Sequence, residues 1–213
     1  MASLRFSLIS DGSSDKALLP VLKWLLRRCD VQGELAAEWV DWGRFREPPR
    51  TLTRKIQAAV RFYPCELLFI HRDAETAAHG DRRAEIQQAI QVAGENMPAA
   101  VCIVPVRMME AWFLFSEQAI REASGNPSGR EPLTLPRTRD IETLPDPKLM
   151  LHNLLRDASG LSGRRLKSFR VAPAIHRMAD IIGDFGPLLE LPAFAQLSED
   201  LRSTLRLSGI QTR

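Results

Sequence analysis

The chain has 213 residues, 45% of them hydrophobic and 26% charged, with a formal net charge of +3. That length can bury a full core in one domain with an elaborated end, and the composition excludes a disordered or low-complexity protein. The mild basicity is compatible with a nucleic-acid partner but does not single one out, because clustering of charge matters more than its sum.

Residues 4–9 form a short apolar run that stops at Asp11-Gly12 and reads as a first strand. Ser13 or Ser14 is a natural cap for a helix running to about Arg28, with Leu18, Leu19, Leu22, Leu25 and Leu26 on one face. Residues 36–42 predict a second strand. Residues 51–62, with Leu52, Ile56, Ala59 and Val60 at helical spacing, predict a second helix. Residues 67–70 are apolar throughout, as in a strand buried on both faces, and stop before Asp73-Ala74-Glu75. Residues 81–94 predict a third helix and residues 99–104 a fourth strand closed by Pro105. Strands alternating with helices imply right-handed βαβ units and a mostly parallel four-stranded sheet.

Residues 109–123 read as a helix carrying Trp112, Phe113, Phe115 and Ile120. Residues 125–147, rich in Pro, Gly, Ser and Thr, read as a loop or insertion. Asp146-Pro147 is a strong helix start, with a capping acid followed by proline, for a segment ending near Gly160. Residues 160–170 predict a basic connection, and residues 173–182 and 192–207 complete a helical end. The expected organisation is an α/β domain over 1–124, the loop over 125–147, and a helical part over 148–213 packing on the same core.

Cys29, Cys65 and Cys102 are few and widely spaced, without a CxxC pair. They predict reduced thiols in a cytoplasmic protein and no structural zinc. The N-terminal stretch reads as neither signal peptide nor membrane span. Phosphate-loop GxxxxGK[ST], dinucleotide GxGxxG and hydrolase GxSxG patterns are absent from the sequence.

Ligands of open parallel sheets gather outside the carboxyl ends of the strands. Asp11 ends one strand, and Asp73 and Glu75 follow another. Two residues apart in a strand point the same way, so Asp73 and Glu75 converge if the extended backbone persists past Ile70. With Asp11 they would offer the hard oxygens that magnesium or manganese takes beside a substrate phosphate. Glu110, after the fourth strand, joins the same rim as a further ligand or general base, and its neighbour Arg107 faces a phosphate. Lys148 is a further candidate for phosphate contact. So are Lys167 and Arg170, which fall in a basic stretch with Arg156, Arg164, Arg165 and Arg177. His71 and His79 flank the loop as candidates for proton transfer or metal binding. Asp15 reads equally as a supporting acid or a helix cap. The plain alternative for every acid here is a turn or cap residue, and for the basic stretch a solvated surface.

The acid-Gly-Ser-Ser-Asp pattern of Asp11 to Asp15 and the strand ending in Asp73-Ala74-Glu75 resemble the two motifs of the Toprim superfamily. Pro105 to Leu114 with its Glu110-Ala111-Trp112, the Asp146-Pro147-Lys148 helix start and the segment His176 to Leu201 resemble a standalone Toprim-like family linked to bacterial phage-defence loci. That family is related to the overcoming-lysogenization-defect nucleases. The resemblance implies a Rossmann-like sheet and magnesium held by Asp11, Asp73 and Glu75. It also implies phosphodiester cleavage in nucleic acid, with a role in defence. Two positions depart from the pattern, with Asp11 in place of glutamate and Glu75 in place of the second aspartate. Each exchange moves a carboxylate by about 1.5 Å, one carbon–carbon bond.

The partners expected are nucleic acid, a protein encoded nearby, and a second copy of the chain; the Trp39/Trp42 and Trp112 regions read as a dimer face or, more simply, as core residues, and no membrane is expected. Two rival readings are a non-catalytic nucleic-acid or protein binding module and a phosphatase acting on small phosphoesters.

Overall fold

The computed structural model describes residues 3–210. The outer ends of the two expected domain spans, residues 1–2 and 211–213, lie outside the described residues. Strands β1 (Ser3–Ile9), β2 (Glu34–Trp39), β3 (Leu67–His71) and β4 (Ala99–Ile103) pair in parallel in the order β2-β1-β3-β4. The chain therefore leaves β1 toward one edge and, from β3 on, builds toward the other. The reversal falls between β1 and β3, which makes their carboxyl ends the switch point of the sheet.

Alternation along the strands divides the apolar residues between two cores. Leu4, Phe6, Leu8, Leu67, Phe69, Val101 and Ile103 enter the larger cluster, whereas Ile9, Leu68, Ile70, Cys102 and Val104 enter the smaller one. Every residue of β3 is buried, as expected of a strand covered on both faces. Helices α2 (Leu52–Phe62) and α3 (His79–Ala93) cover the smaller core with Ile56, Ala59, Ile86 and Ala89.

The larger core takes α1 (Leu18–Arg28) through Leu18, Val21, Leu22, Leu25 and Leu26. The C-terminal third packs there too. Helices α4 (Glu117–Ala123), α5 (Pro147–Ala158), α6 (Gly163–Lys167), α7 (Val171–Ile181) and α8 (Pro192–Ser208) follow one another. Leu151, Leu155, Ile175, Met178, Phe194 and Leu201 of this region belong to the same cluster as Phe6 and Phe69. Trp112 is fully buried, its ring edge-on to Phe194 at 5.0 Å.

Local departures from the sequence reading have local causes. Leu19 is only partly buried, because a 3-10 turn over Ser13–Ala17 precedes α1 and rotates its stripe. The cap of that turn is Gly12 rather than a serine, with Asp15 Oδ2 accepting from the Gly12 N–H at 3.0 Å. The second strand is Glu34–Trp39 rather than 36–42, and Trp42 opens a 3-10 turn capped by Asp41. The segment 109–123 is broken: Met109–Phe113 is a 3-10 turn and α4 starts afresh on the Ser116 cap. The loop 125–147 contains a 3-10 turn at Thr138–Thr143, and the basic connection contains α6. The start of α5 is as expected, with Asp146 Oδ1 accepting from Leu149 N–H at 2.8 Å and Pro147 at the first position. Among the described residues no helix is long and apolar enough to cross a membrane.

Candidate active site

The end of β1 is pinned by two indoles. Trp39 Nε1–H donates to Ser10 Oγ and Trp42 Nε1–H to the Ser10 carbonyl, both at 2.8 Å. These tryptophans hold the strand end on which the site is built, which accounts for their positions without a second copy of the chain.

At the end of β3 the alternation decides which charges meet. His71 follows Leu67 and Phe69 on the face of the larger core, and Asp73 belongs to the same parity. Arg72 has the opposite parity and faces the side of α2 and α3, where its guanidinium pairs with Glu85 and lies 3.4 Å from Asp11 Oδ2. Asp11 in turn follows Ile9 on that second face, and Lys55 of α2 reaches its Oδ1 at 2.6 Å. Continuing the register that sets Ile9 beside Ile70 brings Asp11 beside Arg72. Partial burial pulls the Asp11 carboxyl up, but Lys55 and Arg72 more than reverse this and hold it below the ordinary value.

On the first face, Asp73 Oδ1 accepts from the Met109 backbone N–H at 2.9 Å, so the aspartate docks the start of the Met109–Phe113 turn. That turn carries Glu110, a carboxylate almost entirely removed from solvent, with Lys148 Nζ of α5 at 3.2 Å from its Oε1. Asp15 reaches the same place from the turn before α1. Burial pushes the Asp73 carboxyl up to about 7, helped by the charges of Asp15 and Glu110. Burial lowers the Lys148 ammonium, but Glu110, Asp73 and Asp15 outweigh it, so the lysine stays charged. His71 is fully enclosed, its Nε2 3.4 Å from Asp73 Oδ1, and burial holds its pKa below the usual imidazole range despite the carboxylates around it. Neither ring nitrogen of His71 has a hydrogen-bond partner among the described residues.

Three separated stretches of sequence are thus brought together: Asp73, Glu110 and Lys148, joined by Asp15 and His71. The set of Asp11, Asp73 and Glu75 is not. Asp11 is engaged by two cations on the other face. Pairing continues through Ala74, whose N–H donates to the Pro105 carbonyl at 3.1 Å, but Glu75 turns left-handed at φ 54° and is exposed. The extended geometry that would align Glu75 with Asp73 ends one residue short. The Glu75 N–H closes this corner on the carbonyl of Arg107, itself left-handed at φ 65° and exposed. Lys167 and Arg170 are exposed in the C-terminal region, where Arg170 lines a separate cleft of about 540 Å³ with Arg165 and Arg177. His79 begins α3, and partial burial and Arg83 lower its pKa.

No family model, curated protein or solved structure matches this chain. The chemistry of the site therefore rests on its own donors. Among the described residues no group of three or more His, Cys, Asp or Glu has the spacing of a metal site. A magnesium ion that keeps its waters and a substrate phosphate needs only one or two carboxylates. Asp73 and Glu110 provide two; burial first, and then the charges of Asp15 and Glu110, raise Asp73, and a divalent cation relieves that repulsion. The residues present fit a two-carboxylate ion, not the three-carboxylate set drawn from the sequence.

Sequence reasoning passed over the residues that neutralise Asp11. It also passed over the cations beside them: Arg44, Arg46, Arg50, Arg54 and Lys55 fall within one short stretch against Glu47 alone. Such a count along the chain would have found them, as it found the stretch near Arg164.

Proposed function

We propose that this chain is a Toprim-like, divalent-metal-dependent enzyme that cleaves phosphodiester bonds in nucleic acid, as the resemblance to defence-linked nucleases implies. The observation that carries the reading is the convergence of Asp73 and the buried Glu110, with Lys148 beside them, at the carboxyl edge of β3, next to the switch point. Asp73 and Glu110 would hold the ion. Bound there, it would polarise a phosphoryl oxygen and make a water nucleophilic. Lys148 offers its half-exposed ammonium, beside Glu110, to the negative charge on the phosphate. Asp15 fixes the turn that closes the site, through Gly12 N–H and the Ser14 hydroxyl at 3.2 Å. His71, enclosed with its Nε2 3.4 Å from Asp73 Oδ1, backs the aspartate from the core side.

The test is cleavage of labelled single-stranded DNA, duplex DNA and RNA with magnesium or manganese. Cleavage should vanish in chelator and in Asp73→Asn and Glu110→Gln. Cleavage that survives either substitution, or none on any of the three substrates, refutes the reading. A binding module without catalysis is the second reading, favoured by the lack of a three-ligand group among the described residues. It requires oligonucleotide binding with no cleavage under all these conditions.

A further inference from the structure

A cavity of about 1120 Å³ opens beside Asp11, on the face of the sheet covered by α2. Its wall includes Trp42, Arg46, Arg50, Arg54 and Lys55. Lys55 is committed to Asp11, but Arg46, Arg50 and Arg54 have no carboxylate partner among the described residues, and all three are exposed. Glu47 is the other acid of the wall. Guanidiniums gathered in one concavity repel one another, and the arrangement becomes favourable when an anion enters. Arginine's planar fork suits phosphate oxygens above other anions.

We propose that this cleft seats a single strand of nucleic acid, with Arg46, Arg50 and Arg54 on successive backbone phosphates and the strand running past Asp11 and Arg72 toward the carboxyl edge of the sheet. The proposal names the form of the substrate for the reading above, and rests on that reading only for what happens to the strand once bound. Arg46 and Arg50 come from the irregular segment before α2 and Arg54 from its first turn, so the cleft gathers charge from a loop and a helix along one wall. The volume lies above the range of about 300–1,000 Å³ usual for a small-molecule pocket. A basic groove with an aromatic wall is the common solution for unpaired strands. Here the aromatic group is Trp42, fixed by its bond to Ser10 and approached by Lys55 Nζ at 5.7 Å.

The experiment is fluorescence anisotropy with a labelled oligothymidylate of about 12 nucleotides in chelator, over a range of salt. The comparison is between the wild type, the variant Arg46→Ala/Arg50→Ala/Arg54→Ala, and the charge-conserving triple lysine variant. Wild-type protein should bind the strand. The alanine variant should bind at least about ten-fold more weakly, with the slope of log affinity against log salt reduced by about 2, at roughly 0.7 for each phosphate no longer neutralised. The lysine variant should keep the wild-type slope. Absence of binding, an unchanged slope in the alanine variant, tighter binding of the same sequence as duplex, or displacement of the strand by ATP at equal phosphate concentration would each overturn the proposal. Because no metal is present, the result is independent of cleavage. Binding with this pattern but no cleavage in magnesium leaves the groove standing and removes the nuclease. Cleavage unaffected by the three alanines does the reverse.

Discussion

Asp73→Asn isolates the electrostatic cost built into the site. The ordinary aspartate value is 3.8, and Asp73 is pushed to about 7, first by burial and then by Asp15 and Glu110. Each decade of proton affinity is worth about 1.4 kcal/mol, so the ionised carboxylate would carry a penalty of up to ~4 kcal/mol. The side chain keeps 27% of its exposure, so water screens part of this and about 2 kcal/mol is the expected cost at pH 8. The folded chain holds the Asp73 proton more tightly than the unfolded chain. Its contribution to stability therefore falls as pH rises from about 4 to 7, and the cost is complete above about 7. Asparagine does not titrate, and its side-chain oxygen can still accept from Met109 N–H. In chelator, Asp73→Asn should match the wild type near pH 3 and be about 2 kcal/mol more stable at pH 8. His71 has the opposite sign, since burial lowers its pKa and its contribution is lost as pH falls through 6.5. At pH 8 the imidazole is neutral in both proteins, so the difference read there is free of it. Urea unfolding followed by tryptophan fluorescence at several pH values measures that difference. A difference that stays flat with pH, or an asparagine variant less stable at pH 8, would refute the raised proton affinity of Asp73 on which the reasoning depends.

Lys148→Met strips the partner from buried Glu110 and should cost ~1–2 kcal/mol in urea unfolding. Adding Glu110→Gln should recover most of that, as a double-mutant cycle would show. Arg107, left-handed without being glycine, should accept glycine with little change or a gain of up to ~1 kcal/mol. Valine there should cost about 1–2 kcal/mol by thermal or chemical denaturation. Phe194→Ala empties a fully buried site against Trp112 and should cost about 3–4 kcal/mol. Because Phe194 shares its cluster with strand residues of the first 105, circular dichroism and tryptophan fluorescence should still report one coincident transition. Separate transitions would mean that the C-terminal helices stand apart from the sheet.

The sequence by itself determined the alternating elements, the burial of Leu67 to Ile70, the capped start at Asp146-Pro147, and the placing of acids where strands end. These are local matters of periodicity, capping and apolar runs, which a short window contains. It also supplied Asp73, Glu110 and Lys148 as candidates, each from its own neighbourhood. What only the tertiary structure decided was which of them meet. The parallel register sets Ile9 beside Ile70, and the two-residue alternation then sends Asp11 and Arg72 to one face and His71 and Asp73 to the other. A shift of one residue in that register would exchange the partners, and no single segment encodes it. The left-handed corner at Glu75 is likewise fixed from outside its own stretch, by the carbonyl of Arg107. Contacts between strands thus turned one expected acidic set into two charged sites on opposite faces of the same sheet edge.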